Sequence, residues 1–115
     1  MTSIEKAELI TQFADDMKAE RIDTLDVRDK TSVTDYFVVC SGNSDVHINA
    51  IAEKVAEKLR EHQVRPLRED TGNGSGWVLQ DYGDVVFNVM REEKRQFYDL
   101  ETLWKTMQPN PDLVE

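Results

Sequence analysis

The stretch that decides the fold reads Tyr36-Phe37-Val38-Val39-Cys40, then Gly42-Asn43-Ser44-Asp45, then a long amphipathic segment. The apolar run predicts a strand that is buried on both faces, as strands inside a sheet are. The turn residues after it predict a loop and a helix cap. The segment that follows predicts the clearest helix of the chain, because its apolar residues recur on one stripe. That stripe consists of Ile48, Ile51, Ala52, Val55 and Leu59.

Two further strands are predicted towards the C-terminus, at residues 77–82 and 85–90. They are separated by Gly83-Asp84, a two-residue link that is typical of a hairpin. A hairpin makes its strands antiparallel, whereas a helical crossover makes them parallel, so the sheet is predicted to be mixed. From Glu92 onward the pattern returns to helix, which the prolines at 109 and 111 end. The side chains spaced to face the core or a partner are Phe97, Leu100, Leu103 and Trp104.

The remaining segments complete the order of elements. Thr2 and Glu5 have the spacing of a capping box and begin a helix that is predicted over residues 2–20. A half-buried strand is predicted at residues 22–28, and a short strand at 64–67 that Pro66 limits. The sequence therefore predicts an α/β fold with a mixed sheet of about five strands flanked by helices. We expect one domain over residues 1–115, because a chain of this length builds one core.

Charge restricts the class of partner. The chain has 14 Lys and Arg against 23 Asp and Glu, a net charge of −9, and its pI is near 4.7. Proteins that bind nucleic acid usually concentrate Lys and Arg in a patch that neutralises phosphates. The short basic groupings here are diluted by glutamates, so we expect no direct nucleic-acid binding and favour a basic partner. The alternative is that the charge serves only solubility.

Location follows from hydropathy and cysteine content. No stretch approaches the roughly 20 consecutive apolar residues that cross a bilayer, so no membrane partner is expected. The N-terminus, Met1-Thr2-Ser3-Ile4-Glu5-Lys6, lacks the basic and apolar regions of a secretory signal. A single cysteine cannot form an internal disulfide, which fits a reducing compartment. We expect a cytoplasmic protein.

Residues that resemble a catalytic, metal or cofactor site have a simpler interpretation. The segment from Gly72 to Gly76 precedes a strand and is expected to be a mobile loop, because phosphate-binding loops precede a helix. Asp81 and Asp84 flank a turn and lack the alternate-residue spacing of a magnesium-binding pair. Cys40 is expected to be a buried, inert thiol, and His47 and His62 to have surface or helix-end roles. We predict no enzyme activity, no metal and no cofactor.

Aromatic residues are the ambiguous group. Trp77, Tyr82, Tyr98 and Trp104 lie in predicted strand and helix positions, where aromatic residues usually belong to the core. Trp and Tyr are also the preferred anchors of protein interfaces. The sequence leaves both interpretations open.

Several motifs in order resemble the ribosomal silencing factor family, also called the Iojap family. The resemblance covers nearly the whole chain. It departs from the family pattern at Asp70, where a glycine is expected, and at Asn88, where a histidine is expected. The motifs are Ser32-Val-Thr-Asp35-Tyr-Phe-Val-Val-Cys-Ser41-Gly42-Asn-Ser44, residues 47–52, Trp77-Val-Leu-Gln-Asp81-Tyr82-Gly83-Asp84-Val-Val, and Arg95-Gln-Phe97-Tyr98-Asp-Leu100-Glu101-Thr-Leu-Trp104.

The resemblance implies a fold like that of nucleotidyltransferases without their catalytic acids. It also implies a translational repressor that binds the fourteenth protein of the large ribosomal subunit and blocks joining of the small subunit when nutrients are scarce. Two other classes stay open. One is an acidic adaptor for another basic protein, and the other, less favoured, is a nucleotidyltransferase-like enzyme. Monomer and homodimer are both open, since an exposed apolar edge can pair about a two-fold axis.

Six residues are expected to form the protein-binding site that the resemblance implies. Trp77 and Tyr98 would supply apolar anchors, and Leu100 would fill the space between them. Asp81, Tyr82 and Glu101 would pair with basic or polar groups of the ribosomal protein. Glu101 is expected to be an exposed charge, so its reversal should weaken binding and leave the fold intact.

Overall fold

The first helix and strand follow the predicted order, but the helix is shorter than predicted and the strand lies two residues nearer the N-terminus. In the computed structural model, which describes residues 1–113, helix α1 spans Ser3–Asp16 and strand β1 spans Glu20–Asp26. The capping box is confirmed, because the Thr2 hydroxyl accepts from the Glu5 N–H at 3.2 Å and the Glu5 carboxylate accepts from the Thr2 N–H. The helix ends before residue 20 because Lys18 adopts a left-handed conformation with φ of 60°.

The sheet confirms the predicted mixture of parallel and antiparallel pairs. Its five strands lie in the order β1-β2-β5-β4-β3. Strands β2 and β5 are parallel, and the other three pairs are antiparallel. The elements after β1 are β2 (Tyr36–Gly42), α2 (Asp45–Glu61), β3 (Arg68–Asp70), β4 (Trp77–Asp81), β5 (Val85–Arg91), α3 (Glu92–Tyr98) and α4 (Leu100–Thr106).

Each face of the sheet has its own apolar cluster. Helices α1 and α2 pack on one face, called here the inner face, against alternate residues of the central strands, among them Val38, Cys40 and Phe87. The opposite face, called here the outer face, carries Phe37, Val39 and Met90. All seven residues of β2 are buried, which confirms the predicted strand with two buried faces.

Helix α4 covers part of the outer face. The Trp104 ring lies against Phe37 with centroids 5.8 Å apart, and Leu100 packs against the same cluster. Among the described residues, no helix is long and apolar enough to cross a membrane.

The hairpin between β4 and β5 forms as predicted. The Tyr82 N–H donates to the Val85 carbonyl oxygen at 2.9 Å and closes a two-residue link. Gly83 has φ of 88°, a conformation that the first residue of such a link requires and that side chains disfavour.

The short third strand was predicted at the wrong position. Residues 64–67 were expected to form it, but β3 spans Arg68–Asp70. Val64 instead closes the turn that follows α2, since its N–H donates to the Leu59 carbonyl oxygen at 2.9 Å. Pro66 has no N–H to donate, and pairing with β4 begins only at Leu67, whose N–H donates to the Asp81 carbonyl oxygen at 2.7 Å.

The C-terminal helical segment was predicted as one helix and is two. Asp99 separates α3 from α4 with a left-handed φ of 46° and ψ of 52°. Its N–H donates to the Arg95 carbonyl oxygen at 2.9 Å, which closes the last turn of α3. The break changes the direction of the chain, so Phe97 and Leu103 are exposed while Leu100 and Trp104 pack on the sheet.

We predict that Ser44→Ala lowers the free energy of unfolding by about 1 kcal/mol. The Ser44 hydroxyl caps α2 by accepting from the His47 N–H at 3.0 Å, and alanine removes this acceptor. Chemical denaturation monitored by circular dichroism measures the change. Ser32→Ala, at an exposed loop position, is the matched control. Equal midpoints for the two variants would contradict the capping role.

Candidate protein-binding surface

Three aromatic side chains, one from strand β4 and two from helix α3, form a continuous row. Tyr98 lies in the middle, with its ring centroid 5.0 Å from that of Trp77 and 5.0 Å from that of Phe97. Trp77 is half-buried, Tyr98 is 47% exposed and Phe97 is 80% exposed. We call these three residues the aromatic row. Graded exposure of this kind is typical of an interface anchor, whose base is packed and whose upper surface is free.

The sheet supplies one end of the row and helix α3 supplies the other. Trp77 begins β4 and pairs with Met90 of β5, so its ring stands on the outer face. The Trp77 indole N–H donates to the side-chain oxygen of Asn88 at 2.9 Å. Tyr98 and Phe97 are the last residues of α3, just before the break at Asp99. The row therefore depends on how α3 is held against the sheet.

A shallow depression borders the row on the side of β3. It has a volume of about 180 Å³ and is lined by Asp70, Ser75, Trp77 and Leu79. Such a volume is smaller than the usual site for a small molecule, but it is suited to a single side chain of a partner. Its rim is acidic, since Asp70 is exposed there.

A buried hydrogen-bonded network fixes the two C-terminal helices. Arg95 is only 3% exposed, and its guanidinium donates to both Glu101 carboxylate oxygens, at 2.7 and 3.2 Å. It also donates to the Ser41 hydroxyl at 2.9 Å, and Ser41 donates to Glu92 at 2.7 Å. Glu92 in turn pairs with Arg21. The network joins the end of β2 to both helices across the break at Asp99.

The ion pair with Arg95 sets the charge state of Glu101. The hydrogen bond from Arg95 is the main reason that the pKa of the Glu101 carboxyl lies below its usual value of 4.5, and partial burial acts in the opposite direction. Because the pairing uses both carboxylate oxygens, Glu101 is a structural group as well as a potential contact. The expectation that Glu101 is a freely exposed charge is therefore wrong.

Tyr82 and Asp81 also differ from the surface role that was expected of them. Tyr82 is 5% exposed and packs on the inner face, where its hydroxyl donates to the Gln80 side-chain oxygen at 2.7 Å. Burial raises the pKa of this hydroxyl well above its usual range.

The Asp81 carboxylate accepts from the Gly83 N–H at 2.8 Å and from Arg68 at 2.9 Å. Asp81 also lies four residues from Trp77, about 13 Å along the strand.

The structure thus brings together three of the six expected residues and adds three others. Trp77, Tyr98 and Leu100 lie on one side of the molecule, with Glu101 beside them but paired internally. The additions are Phe97, Leu79 and Asn88. Alternation along β4 could have placed Leu79 beside Trp77. The sequence predicted that Phe97 faces either the core or a partner and did not decide between them. No signal in the sequence pairs Asn88 with Trp77.

The predicted cap residue Ser44 has a structural role, and so do His47 and Cys40, two of the residues that resembled a catalytic or metal site. Ser44 caps α2, and His47 joins two segments, since its Nδ1 accepts from the Asn43 N–H and its Nε2 donates to the Met17 carbonyl oxygen at 2.8 Å. Cys40 is fully buried, and this burial raises the pKa of its thiol to about 12, which keeps it protonated. Over residues 1–113, no group of three or more His, Cys, Asp or Glu side chains is arranged to hold a metal ion.

The fold and this surface define a mixed α/β protein with an aromatic row on the open part of one sheet face. Comparison with known proteins identifies the family. The model of the family described as "Ribosomal silencing factor during starvation" matches residues 1–115. The chain therefore belongs to the ribosomal silencing factor family, whose members are regulators of translation.

Individual relatives agree with this assignment. The chain is 39% identical over 90 residues to ribosomal silencing factor RsfS of Bacillus subtilis, covering 78% of this chain and 76% of that protein. It is 29% identical over 89 residues to the mouse protein named mitochondrial assembly of ribosomal large subunit protein 1, covering 75% of this chain and 39% of that protein. A crystal structure of a Chromobacterium violaceum protein superposes with a TM-score of 0.88 at 34% identity, covering 96% of this chain and 92% of that one. The likeness to nucleotidyltransferases stays a prediction.

We predict that Glu101→Lys lowers the free energy of unfolding by about 3 kcal/mol, because it leaves the buried Arg95 guanidinium without its partner. The substitution also places a second positive charge beside that guanidinium. Thermal and chemical denaturation measure the loss. Glu57→Lys, an exposed position on α2, is the control for charge reversal alone. A Glu101 variant as stable as the Glu57 variant would show that the pair contributes nothing to folding.

The stability that the Glu101 charge supplies should depend on pH. Because the pKa of Glu101 is lower in the folded state, this contribution is fully present above 4.5 and is lost as the pH falls through the folded-state pKa. We predict that the stability difference between the wild type and Glu101→Gln is largest near neutral pH and shrinks below about pH 4.5. Denaturant titrations at a series of pH values test this. A difference that grows on acidification would contradict the assigned direction.

Proposed function

We propose that this protein is a translational repressor that binds the large ribosomal subunit through its fourteenth protein. Bound there, it blocks association with the small subunit under nutrient limitation. The observation that carries the proposal is the aromatic row, an exposed apolar anchor in a chain of a ribosomal silencing family. The name of the mouse relative, which refers to assembly of the large subunit, supports that subunit as the partner.

The charge of the chain supports a protein contact over an RNA contact. With a net charge of −9, the whole molecule is repelled by polyanions and steered towards a basic protein surface. This long-range part of the attraction weakens at high salt, because exposed charges are screened. The apolar contact of the aromatic row is less sensitive to salt. Binding is therefore proposed to be accelerated by charge and held by the aromatic side chains.

The proposed contact residues follow from the described geometry. Trp77, Tyr98 and Phe97 supply the aromatic anchors, and Leu100 packs on the same outer-face cluster as Trp77. Glu101 and Asp81 contribute acidic groups at the margin, in addition to the internal pairs that they form. Tyr82 is left out because its side chain is buried.

Steric exclusion is the proposed mechanism of repression. The protein measures 43 × 34 × 21 Å along its principal axes. Two subunit surfaces that touch cannot enclose an object of even the smallest of these dimensions. The acidic surface that remains exposed would also repel the RNA of the small subunit. A protein with this role needs an attachment site and bulk, and it needs no catalytic group.

Two other functions give different experimental results. An acidic adaptor for some other basic protein would share the charge and the aromatic row, but it would not sediment with large subunits. A nucleotidyltransferase-like enzyme would bind ATP with magnesium, which titration calorimetry detects. We propose that the protein is not an enzyme, needs neither metal nor cofactor and acts in the cytoplasm. Dimerisation is a separate question that analytical ultracentrifugation answers.

We predict that Trp77→Ala and Tyr98→Ala each weaken binding to isolated large subunits by about 2 kcal/mol, roughly 30-fold, because each removes a central aromatic anchor. Co-sedimentation of the purified protein with large subunits measures the affinity. Small subunits are then added, and the fraction of joined ribosomes is read from a sucrose gradient. Wild-type protein should lower that fraction, and both variants should lower it less.

Val46→Ala is the matched control for these variants. Val46 is 80% exposed on α2, which packs on the inner face, whereas the aromatic row lies on the outer face, so its truncation should change neither binding nor joining. Circular dichroism confirms that each variant is folded before binding is compared. Absence of wild-type binding would refute the proposed partner. Equal loss in the Val46 variant would refute the proposed surface.

A further inference from the structure

Asn88 is an unusual residue for its position in the sheet. It lies in the middle of β5, is fully buried, and has apolar neighbours on its strand, Phe87 and Val89. Its side-chain oxygen accepts the Trp77 indole N–H at 2.9 Å. Its side-chain nitrogen has no hydrogen-bond partner, and among the buried side chains of residues 1–113 it is the one polar atom of which this is true. A polar group left unpaired in the interior costs free energy of folding.

This arrangement indicates that Asn88 is not present for stability. An apolar side chain of similar size would remove the unpaired nitrogen and would suit a layer that contains Val86 and Met90. What it could not do is accept the indole N–H of Trp77. That bond fixes the rotation of the indole ring about its side-chain bonds. It therefore determines which edge of Trp77 meets Tyr98 and which edge faces the depression beside Leu79.

We propose that Asn88 is a positioning residue that holds Trp77 in the orientation required for docking, and that the chain retains it at the expense of stability. This inference rests on the proposed function, since docking is the property that it serves. Without the bond, the indole has other rotations available within its half-buried site. Only molecules whose indole is in the competent orientation can then bind. The apparent affinity equals the intrinsic affinity multiplied by the fraction of molecules in that orientation.

The test is a pair of variants with opposite expected effects. Asn88→Leu removes the acceptor and the unpaired nitrogen, so we expect a melting temperature equal to or above that of the wild type and an affinity for large subunits reduced at least 10-fold. Asn88→Asp keeps an oxygen acceptor but buries an acid, so we expect a lower melting temperature and an affinity within about threefold of the wild type once folded. A role in stability alone would move both properties in the same direction.

Two further measurements make the outcome specific. In a Trp77→Phe background, which has no indole N–H, adding Asn88→Leu should cause no further loss of affinity. In a Trp104→Phe background, Trp77 is the only tryptophan, and its fluorescence anisotropy should fall in Asn88→Leu and not in Asn88→Asp. Where leucine does not fit, Asn88→Ala removes the same acceptor.

The results separate this inference from the proposed function. Wild-type binding with unchanged affinity in a folded Asn88→Leu would overturn the positioning role and leave the proposed partner intact. Loss of affinity in Asn88→Leu that persists in the Trp77→Phe background would also overturn it, because the effect would not pass through the indole. No binding by the wild type would refute the proposed function and the docking role with it. The anisotropy would then still report whether Asn88 immobilises the ring.

Discussion

The parallel pairing of β2 with β5 is the constraint on which the rest of the structure depends. Every residue from Tyr36 to Gly42 pairs in register with one from Val85 to Arg91, and β2 is buried along its full length. A strand pair buried on both faces needs a layer on each side, which α1 and α2 supply on one face and α4 supplies on the other.

The register of β2 with β5 also brings Gly42 opposite Arg91, so α2 and α3 begin at the same edge. Ser41 can therefore reach both Glu92 and Arg95, and the network that fixes the C-terminal helices is a consequence of strand pairing.

Those parts of the fold that depend on local signals could be predicted from the sequence. The apolar run of β2, the stripe of α2, the capping box at Thr2 and the link at Gly83-Asp84 each specify an element without reference to the rest of the chain. The parts that depend on tertiary contacts could not. The position of β3 is decided by where β4 can accept hydrogen bonds after Pro66. The break at Asp99 separates Arg95 from Glu101, and the ion pair between these two residues spans it. Helical periodicity predicts neither the break nor the ion pair.

The candidate site shows the same division. The sequence identified the aromatic group, but sorting core from surface requires the faces of the sheet to be known. Trp77 and Tyr82 are five positions apart, so strand alternation puts them on opposite faces, but only the packing of α1 and α2 shows that the face of Tyr82 is the covered one. Charges raise a similar difficulty. Asp81 and Glu101 look like free acids in the sequence, because Arg68 and Arg95 become their partners only when the chain folds.

On the outer face, polar side chains are buried beneath apolar side chains that are exposed. Arg95 and Asn88 are buried polar side chains. Arg95 holds the helix that carries Tyr98, and Asn88 holds the ring of Trp77. An apolar layer without them would be simpler to stabilise, since a buried charge or amide must recover its lost hydration. An apolar layer is also tolerant of small shifts, whereas hydrogen bonds have a narrow geometry. An aromatic anchor that hydrogen bonds hold in its bound orientation binds more tightly, because it loses less conformational entropy on binding. We infer that polar groups occur in this layer because the surface above them has to be fixed.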